Sequence, residues 1–442
     1  MLDLKAAAIA ANRFGFGAKP GELDAIAADP RAWLRQQLIP ETPAPGTPSS
    51  AQLNQFLQAR KERKTDVDAA KMMAKALRED FRAAAAKRTL DAANSATPFR
   101  ERLVQFWSNH FTVSIQRPIV IPVAIGFENE AIRPNVLGNF RALLSAVATH
   151  PAMLLYLDNA YSVGPNSMAG QMRKRGLNEN LAREMLELHT VGVDGGYTQT
   201  DVTEFAKILT GWSIAHDGEP NPGQFRYRPF VHEPGDKTLM GRTYREAGAD
   251  EAMRAMNNLA GRPETARHIA TKLARHFVAD DPPQAAIDML AKTYMATDGD
   301  LHAVSVALIG LPQIWSGPLS KVKTPNELVL SACRTFGITD ATAGEGILMG
   351  LKQMDQVPFD APSPAGWPDT ADGWVSPEAM MTRIEWAMMA GQGLDGHADA
   401  REIAKGSIQP VASETTLFHI NSAPSPAEAL ALLIASPEFQ RR

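Results

Sequence analysis

Cysteine is all but missing. Of 442 residues only Cys333 carries a thiol, which excludes an intramolecular disulfide and any multi-thiolate metal site. A dominant charge is missing as well. The formal net charge of −4 gives no global attraction for nucleic acid or an anionic membrane. Basic residues are scattered rather than striped, so no nucleic-acid groove is expected. No run approaches the roughly 20 apolar residues of a membrane span. The opening "MLDLKAAAIAANRFGFG" has a short run of small residues after Lys5, interrupted by Asn12 and Arg13. That falls short of the roughly 7–15 apolar residues of a secretory core, so no clear signal peptide is read. A glycine-rich phosphate loop, a G-x-S-x-G elbow, a dinucleotide fingerprint and an H-E-x-x-H pair are absent too. The commonest signatures of nucleotide, serine-hydrolase and zinc chemistry go with them.

What is present has the composition of a globular chain, 44% apolar and 21% charged, and enough length to bury a sizeable core. Helical periodicity dominates, so the expected fold is mainly α: one large multi-helical domain over 1–442 with a small β-hairpin insertion. A Pro/Ser/Thr stretch at 40–50 reads as a loop. Residues 51–93, rich in Ala, Lys, Arg and Glu with thinly spaced apolar positions, read as a protruding helical segment. "FRYRPFVHEPGDKTLMGRTY", 225–244, reads as the hairpin, turning at Pro-Gly-Asp. "DAPSPAGWPDTADGWVSP", 360–377, is a Trp/Pro/Gly-rich loop too long and aromatic for a passive connection. "MMTRIEWAMMAG", 380–391, reads as adaptable methionine core.

The stretch "NENLAREMLELHT", 178–190, concentrates polar groups on good helix formers. At about 100° per residue, Glu179, Asn180, Arg183, Glu184 and Glu187 share one side. His189 falls in the middle of the opposite, apolar stripe. An undistorted helix therefore cannot bring Glu184, Glu187 and His189 to one ion. Two accounts of the carboxylate face stay open. It is a solvated stripe held by Glu179–Arg183 and Arg183–Glu187 pairs, or Asn180, Glu184 and Glu187 line a cleft able to hold a hard cation or perform acid–base work. His189 is either a last-turn histidine serving the helix-end carbonyls or a buried functional imidazole.

A second inward histidine ends "TPFRERLVQFWSNHFTVS". Thr97 reads as an N-cap and Pro98 as the first helical residue. Phe99, Leu103, Phe106 and His110 form one apolar line, while Glu101, Gln105 and Asn109 form the opposite polar one. His110 and His189 could meet across the core, with His232 from the hairpin as third partner and zinc, copper or iron as the ion. "FENEAIRPN", 127–135, offers Glu128, Glu130 and Arg133 as surface pairs or as a second polar wall, the surface reading being favoured. In "GGYTQTDVTEFAKILTGW" Asp201 and Glu204 fit a capping box.

These strings ("WSNHFTVS", "FENEAIRPNVLGNFRALL", "LNENLAREMLELHTVGVDGGYTQTDVTEFAKILTGW", "HEPGDKTLMG", "GWPDTADGW" and "ALALLIASPEFQRR") resemble the domain-of-unknown-function 1800 family of bacterial proteins. The resemblance runs from "NRFGFGAKPGEL" to the end of the chain. It implies no particular chemistry. Family members often carry leader peptides and are encoded beside a sulfatase-like family, which implies a periplasmic or extracellular setting and an exported protein partner. The family's distinctive polar positions fall here on Trp107, Asn109, His110, Glu130, Arg133, Asn178, Glu179, Asn180, Arg183, Glu184, Glu187, His189, Asp201, Trp212, His232 and Lys237.

Two functions are expected from these readings. The first is an enzyme, a metal-assisted hydrolase or oxidoreductase, with a polar pocket between helices 98–111 and 178–190 closed by the hairpin. Glu184 and Glu187 would be its acid–base groups or ligands, with Asn180 lining the site beside them and Arg183 orienting a carboxylate or anionic substrate, a small molecule or a polymer. His110, His189 and His232 would hold a divalent metal ion. The second is a non-catalytic binding or assembly protein that meets an exported partner through the Trp367/Trp374 loop and the 51–93 segment.

Overall fold

A computed structural model describes residues 2–41, 48–62, 67–173 and 176–442. The expected loop at 40–50 lies mostly outside the described residues. Of the described residues 63% are helical and 4% strand. The 51–93 segment becomes two helices, Ser49–Glu62 and Val67–Asn94. The second is less free of the body than its composition implies. Its exposed face carries Met72 and Met73, but Leu77, Ala85, Ala86, Leu90, Ala92 and Ala93 are buried.

The strands differ from expectation. Phe225–Tyr227 pairs backward with Trp212–Ile214, while Lys237–Leu239 pairs with Arg242–Tyr244. The second hairpin turns at Met240 and Gly241, both with positive φ (47° and 79°), the geometry whose twist suits a two-residue connection. Pro234-Gly235-Asp236 instead leads into Lys237. The 225–244 region therefore contributes to two small hairpins and does not form one.

Apolar side chains gather in two clusters. One draws on residues from Ala7 to Leu319, the other on Phe16, Leu90–Ala93 and the helices from Leu328 to Phe439. Charged side chains tie them together. Arg102, from the Pro98–His110 helix, is paired with Glu327, from the Pro325–Thr335 helix. Arg334 reaches the carbonyls of Gly17, Ala93 and Ser95. Glu327 also closes a capping box with Thr324, so one carboxylate both starts a helix and joins the clusters.

The Pro377–Gly393 helix inverts the expected pattern. Met381, Met388 and Met389 are exposed, while Arg383, Trp386, Ala387 and Gly391 are buried. Arg383 donates to Gln440 Oε1 and to the Lys323 carbonyl, each at 2.8 Å. These bonds make burial of a guanidinium tolerable, and they leave the methionines outside.

Candidate functional site

The Pro98–His110 helix starts as anticipated, with Pro98 in the first turn. Thr97, however, makes no capping bond with its side chain; the free N–H of Phe99 is taken by Gln37 Oε1 at 2.8 Å. The line Phe99, Leu103, Phe106 and His110 is buried. The polar line does the more distinctive work. Asn109 is bonded twice to the backbone of Trp367, Nδ2 donating to its carbonyl at 3.0 Å and Oδ1 accepting its N–H at 2.8 Å. That amide grips the 360–377 loop as a neighbouring strand would. The loop is pinned again by Ile115 N–H to the Phe359 carbonyl and by Ser114 Oγ to the Ala361 carbonyl. Gly366, with φ +80°, lies so close that a Cβ there would sit 2.5 Å from the Asn109 carbonyl oxygen.

Between loop and helix lies a recess of about 110 Å³. Gln105, Phe106 and Asn109 form one wall, Asn326 and Glu327 another, and Phe359, Trp367 and Trp374 an aromatic rim. The two tryptophan rings stand 6.1 Å apart. The Arg88 guanidinium lies 5.3 Å from the Phe359 ring while pairing with Glu128. Glu128 and Arg133 therefore belong to an internal network and not to surface pairs: Glu128 is buried and accepts from Arg88 and Ser108, and Arg133 bonds Glu101. Among the described residues, two in the wall hold buried nitrogens without a partner, Gln105 Nε2 and His276 Nε2. Gln105 Oε1 is occupied by Asn326 Nδ2 at 2.8 Å. Burial, then Arg442, pushes the His276 imidazole well below its ordinary range, so the ring is neutral.

The helix at 178–190 is regular only over Asn180–Glu184 and opens into a π turn over Met185–His189. His110 and His189 do meet, with ring centroids 6.1 Å apart. The third imidazole beside them is His268, 6.0 Å from His110, and not His232. His110 Nε2 lies 3.2 Å from the His189 carbonyl, and His268 Nε2 lies 2.9 Å from that of Leu188. The imidazoles thus serve the carbonyls that the helix end leaves open. Burial, then neighbouring His268, lowers His189 to about 3 and His110 well below its usual value. His232 follows a 3₁₀ turn, Pro229–Val231, that swings it against another helix. There it bonds the Thr210 carbonyl (2.7 Å), Glu251 (3.2 Å) and Lys237 (3.3 Å). Among the described residues no group of three or more His, Cys, Asp or Glu is arranged to hold a metal ion.

Of the carboxylate face, Asn180 is exposed and Arg183 is engaged by Glu179 and Gln199, each at 3.1 Å. Glu184 and Glu187 are half-buried, and Glu187 accepts from the Tyr197 hydroxyl at 3.3 Å. Burial first, then Glu187, raises the Glu184 carboxyl to about 6. Burial and Glu184 in turn push the Tyr156 hydroxyl up to about 12. None of these residues lines the recess, which lies along the polar line of the 98–110 helix. The apolar line meets the 178–190 segment at packed imidazoles.

Sequence reasoning missed His268, His276 and Glu327. "ETARHIATKLARHF" does carry both histidines eight residues apart on one amphipathic helix, Pro263–Phe277, a spacing that could have flagged them.

Fold and site together define a mainly helical protein with an aromatic-rimmed polar recess where two apolar clusters adjoin. The family model described as "Protein of unknown function (DUF1800)" matches residues 9–441, and the chain belongs to that family. No curated protein and no solved structure matches it. Among the described residues no helix is long and apolar enough to cross a membrane.

Proposed function

We propose that the protein binds a small polar organic molecule in the recess between the 98–110 helix and the tryptophan loop. The observation that carries this reading is the pair of unpartnered buried nitrogens, Gln105 Nε2 and His276 Nε2, on the wall of an aromatic-rimmed hollow. Leaving such groups unpaired costs about 1–3 kcal/mol each, and a ligand or ordered water recovers part of it once the Gln105 amide and the His276 ring turn toward the recess. Concave sites with aromatic walls and a few convergent polar groups are the usual small-molecule sites. The test is a melting-temperature screen with small carboxylates, alcohols and sugars on the parent, Gln105→Leu and Trp367→Ala. At least one compound should protect the parent and fail to protect both variants. Equal responses in all three proteins refute the reading.

A second reading keeps the enzyme. Glu184, with its carboxyl near 6 beside Glu187, falls in the range a general acid or base needs at neutral pH. It would work with Glu187, with Arg183 and Asn180 orienting the substrate, as a metal-assisted hydrolase or oxidoreductase. Of the three expected metal ligands, His110 and His189 would then be the candidates for a divalent ion, His232 lying apart from them against Thr210, Glu251 and Lys237. Hydrolysis of p-nitrophenyl esters or phosphates that Glu184→Gln and Glu187→Gln abolish supports this reading; unchanged turnover in both variants, or none in the parent, removes it.

A further inference from the structure

We infer that the recess takes an anionic ligand, a small organic molecule bearing a carboxylate or phosphate. The inference rests on the binding reading above and adds the sign of the charge. In and behind the wall formed by His276, Glu327 and Arg442, six cationic side chains are almost wholly buried: Arg442 itself, and Arg13, Arg102, Lys321, Lys323 and Arg383 behind it. The buried carboxylate among them is Glu327, shared by Arg102 and Arg442. Half-buried Asp280 pairs with Lys321. The other three cations meet neutral acceptors. Lys323 Nζ donates to Asn12 Oδ1 at 3.1 Å and lies 4.7 Å from the Phe439 ring centroid. Arg13 donates to the carbonyls of Ile314 and Pro318, and Arg383 to Gln440 and the Lys323 carbonyl. Among the described residues the cations of this seam therefore outnumber its carboxylates six to two. An α-carboxylate on Arg442 would still leave them ahead, six to three.

Buried charge without a counter-charge is expensive, and the seam registers the expense. Burial, then Arg102 and Arg442, lowers the Lys323 ammonium to about 7. Arg13 is lowered to about 10 by burial and Arg442. Two other charged residues that line the recess are matched by contrast, Arg88 by Glu128 and Asp369 by Lys272. The unmatched positive charge thus lies at the back of the recess, on the side of Arg442 and His276. The Gln105 Nε2 amide can only donate, so it calls for an acceptor. An oxyanion supplies the acceptor and the missing negative charge together. A neutral polyol supplies only the acceptor. Three phenyl probes keep the aromatic part constant and separate these cases.

Titrations of Trp fluorescence with benzoate, phenyl phosphate and benzyl alcohol at fixed ionic strength test the inference. At least one anion should bind roughly tenfold or more tightly than benzyl alcohol, and the stronger of the two anions identifies carboxylate or phosphate as the preferred group. Lys323→Met should cut the anion preference severalfold while leaving benzyl alcohol affinity unchanged. Gln105→Leu, a change at the wall itself, should weaken the preferred anion even if Lys323→Met does not fold. Benzyl alcohol binding as tightly as both anions overturns the inference and spares the recess as a binding site. No response to any probe removes both.

Discussion

Glu184 illustrates how one side chain's surroundings set its chemistry. Its carboxyl titrates near 6 in the folded chain against an ordinary value of 4.5. The protonated form is therefore favoured by folding, and its contribution is complete below about pH 4.5 and lost as pH rises through 6. Glu184→Gln should match the parent in melting temperature at pH 4.5 and exceed it increasingly up to pH 6.5, where the difference levels off. A difference independent of pH would mean that the carboxylate is solvated. The residue scale was partly legible. The helical wheel put Glu184 and Glu187 on one face and His189 inside, and His110 inside as well. It was not applied to the Pro263–Phe277 helix, so it did not bring His268 to the other two histidines. Glu128 was misjudged because its partner Arg88 lies 40 residues back.

Elements are where expectation and structure part most clearly. Period 3.6 identified the mainly helical class, since apolar faces must be buried wherever they lie, but it did not bring out the helices Gly344–Gln353, Ala400–Ser407 and Glu414–Ser422. It could not foresee that the turn at Met185–His189 widens, nor that the capping box at the next helix runs from Thr198 to Asp201 and leaves Glu204 free to pair with Lys207. The Pro377–Gly393 helix is the sharpest case, because composition puts methionine inside and arginine outside. The structure reverses both, and stability should follow the structure. Arg383→Ala removes a buried guanidinium, leaves Gln440 Oε1 and the Lys323 carbonyl without their donor and opens a cavity, and should cost about 3 kcal/mol or more. Met388→Lys should change stability by no more than about 0.5 kcal/mol. Urea unfolding of the two variants checks both figures, and a larger loss at Met388 would point to a face covered in solution.

At the scale of the whole molecule, Glu327 holds three things at once: the start of its own helix, Arg102 from the first apolar cluster, and Arg442. Burial alone would raise its carboxyl, but Arg442 and Arg102 bring it well below the ordinary range. Glu327→Gln leaves the cations of the seam with less compensation and should lower stability by about 3–5 kcal/mol. Because the seam binds both clusters, the parent should unfold in one transition, with circular dichroism and tryptophan fluorescence coinciding. Two separated transitions in the parent would show that the clusters are independent. None of this was legible in sequence. A buried Glu beside Arg and Lys from distant segments looks, residue by residue, like ordinary surface charge.

The contact at Gly366 has a consequence for how such a hollow can diversify. Because Gly366 sits against the Asn109 carbonyl, the Asn109 side chain and the Thr112 hydroxyl, the position of the lip is settled by its backbone and not by the tryptophan rings. Exchanging the ring at 367, whose bonds to Asn109 run through its backbone, then alters what the opening admits while the scaffold stays where it was. New preferences can be tried at little risk to the body that carries them, whereas a single methyl group at 366 would push the lip off its seat.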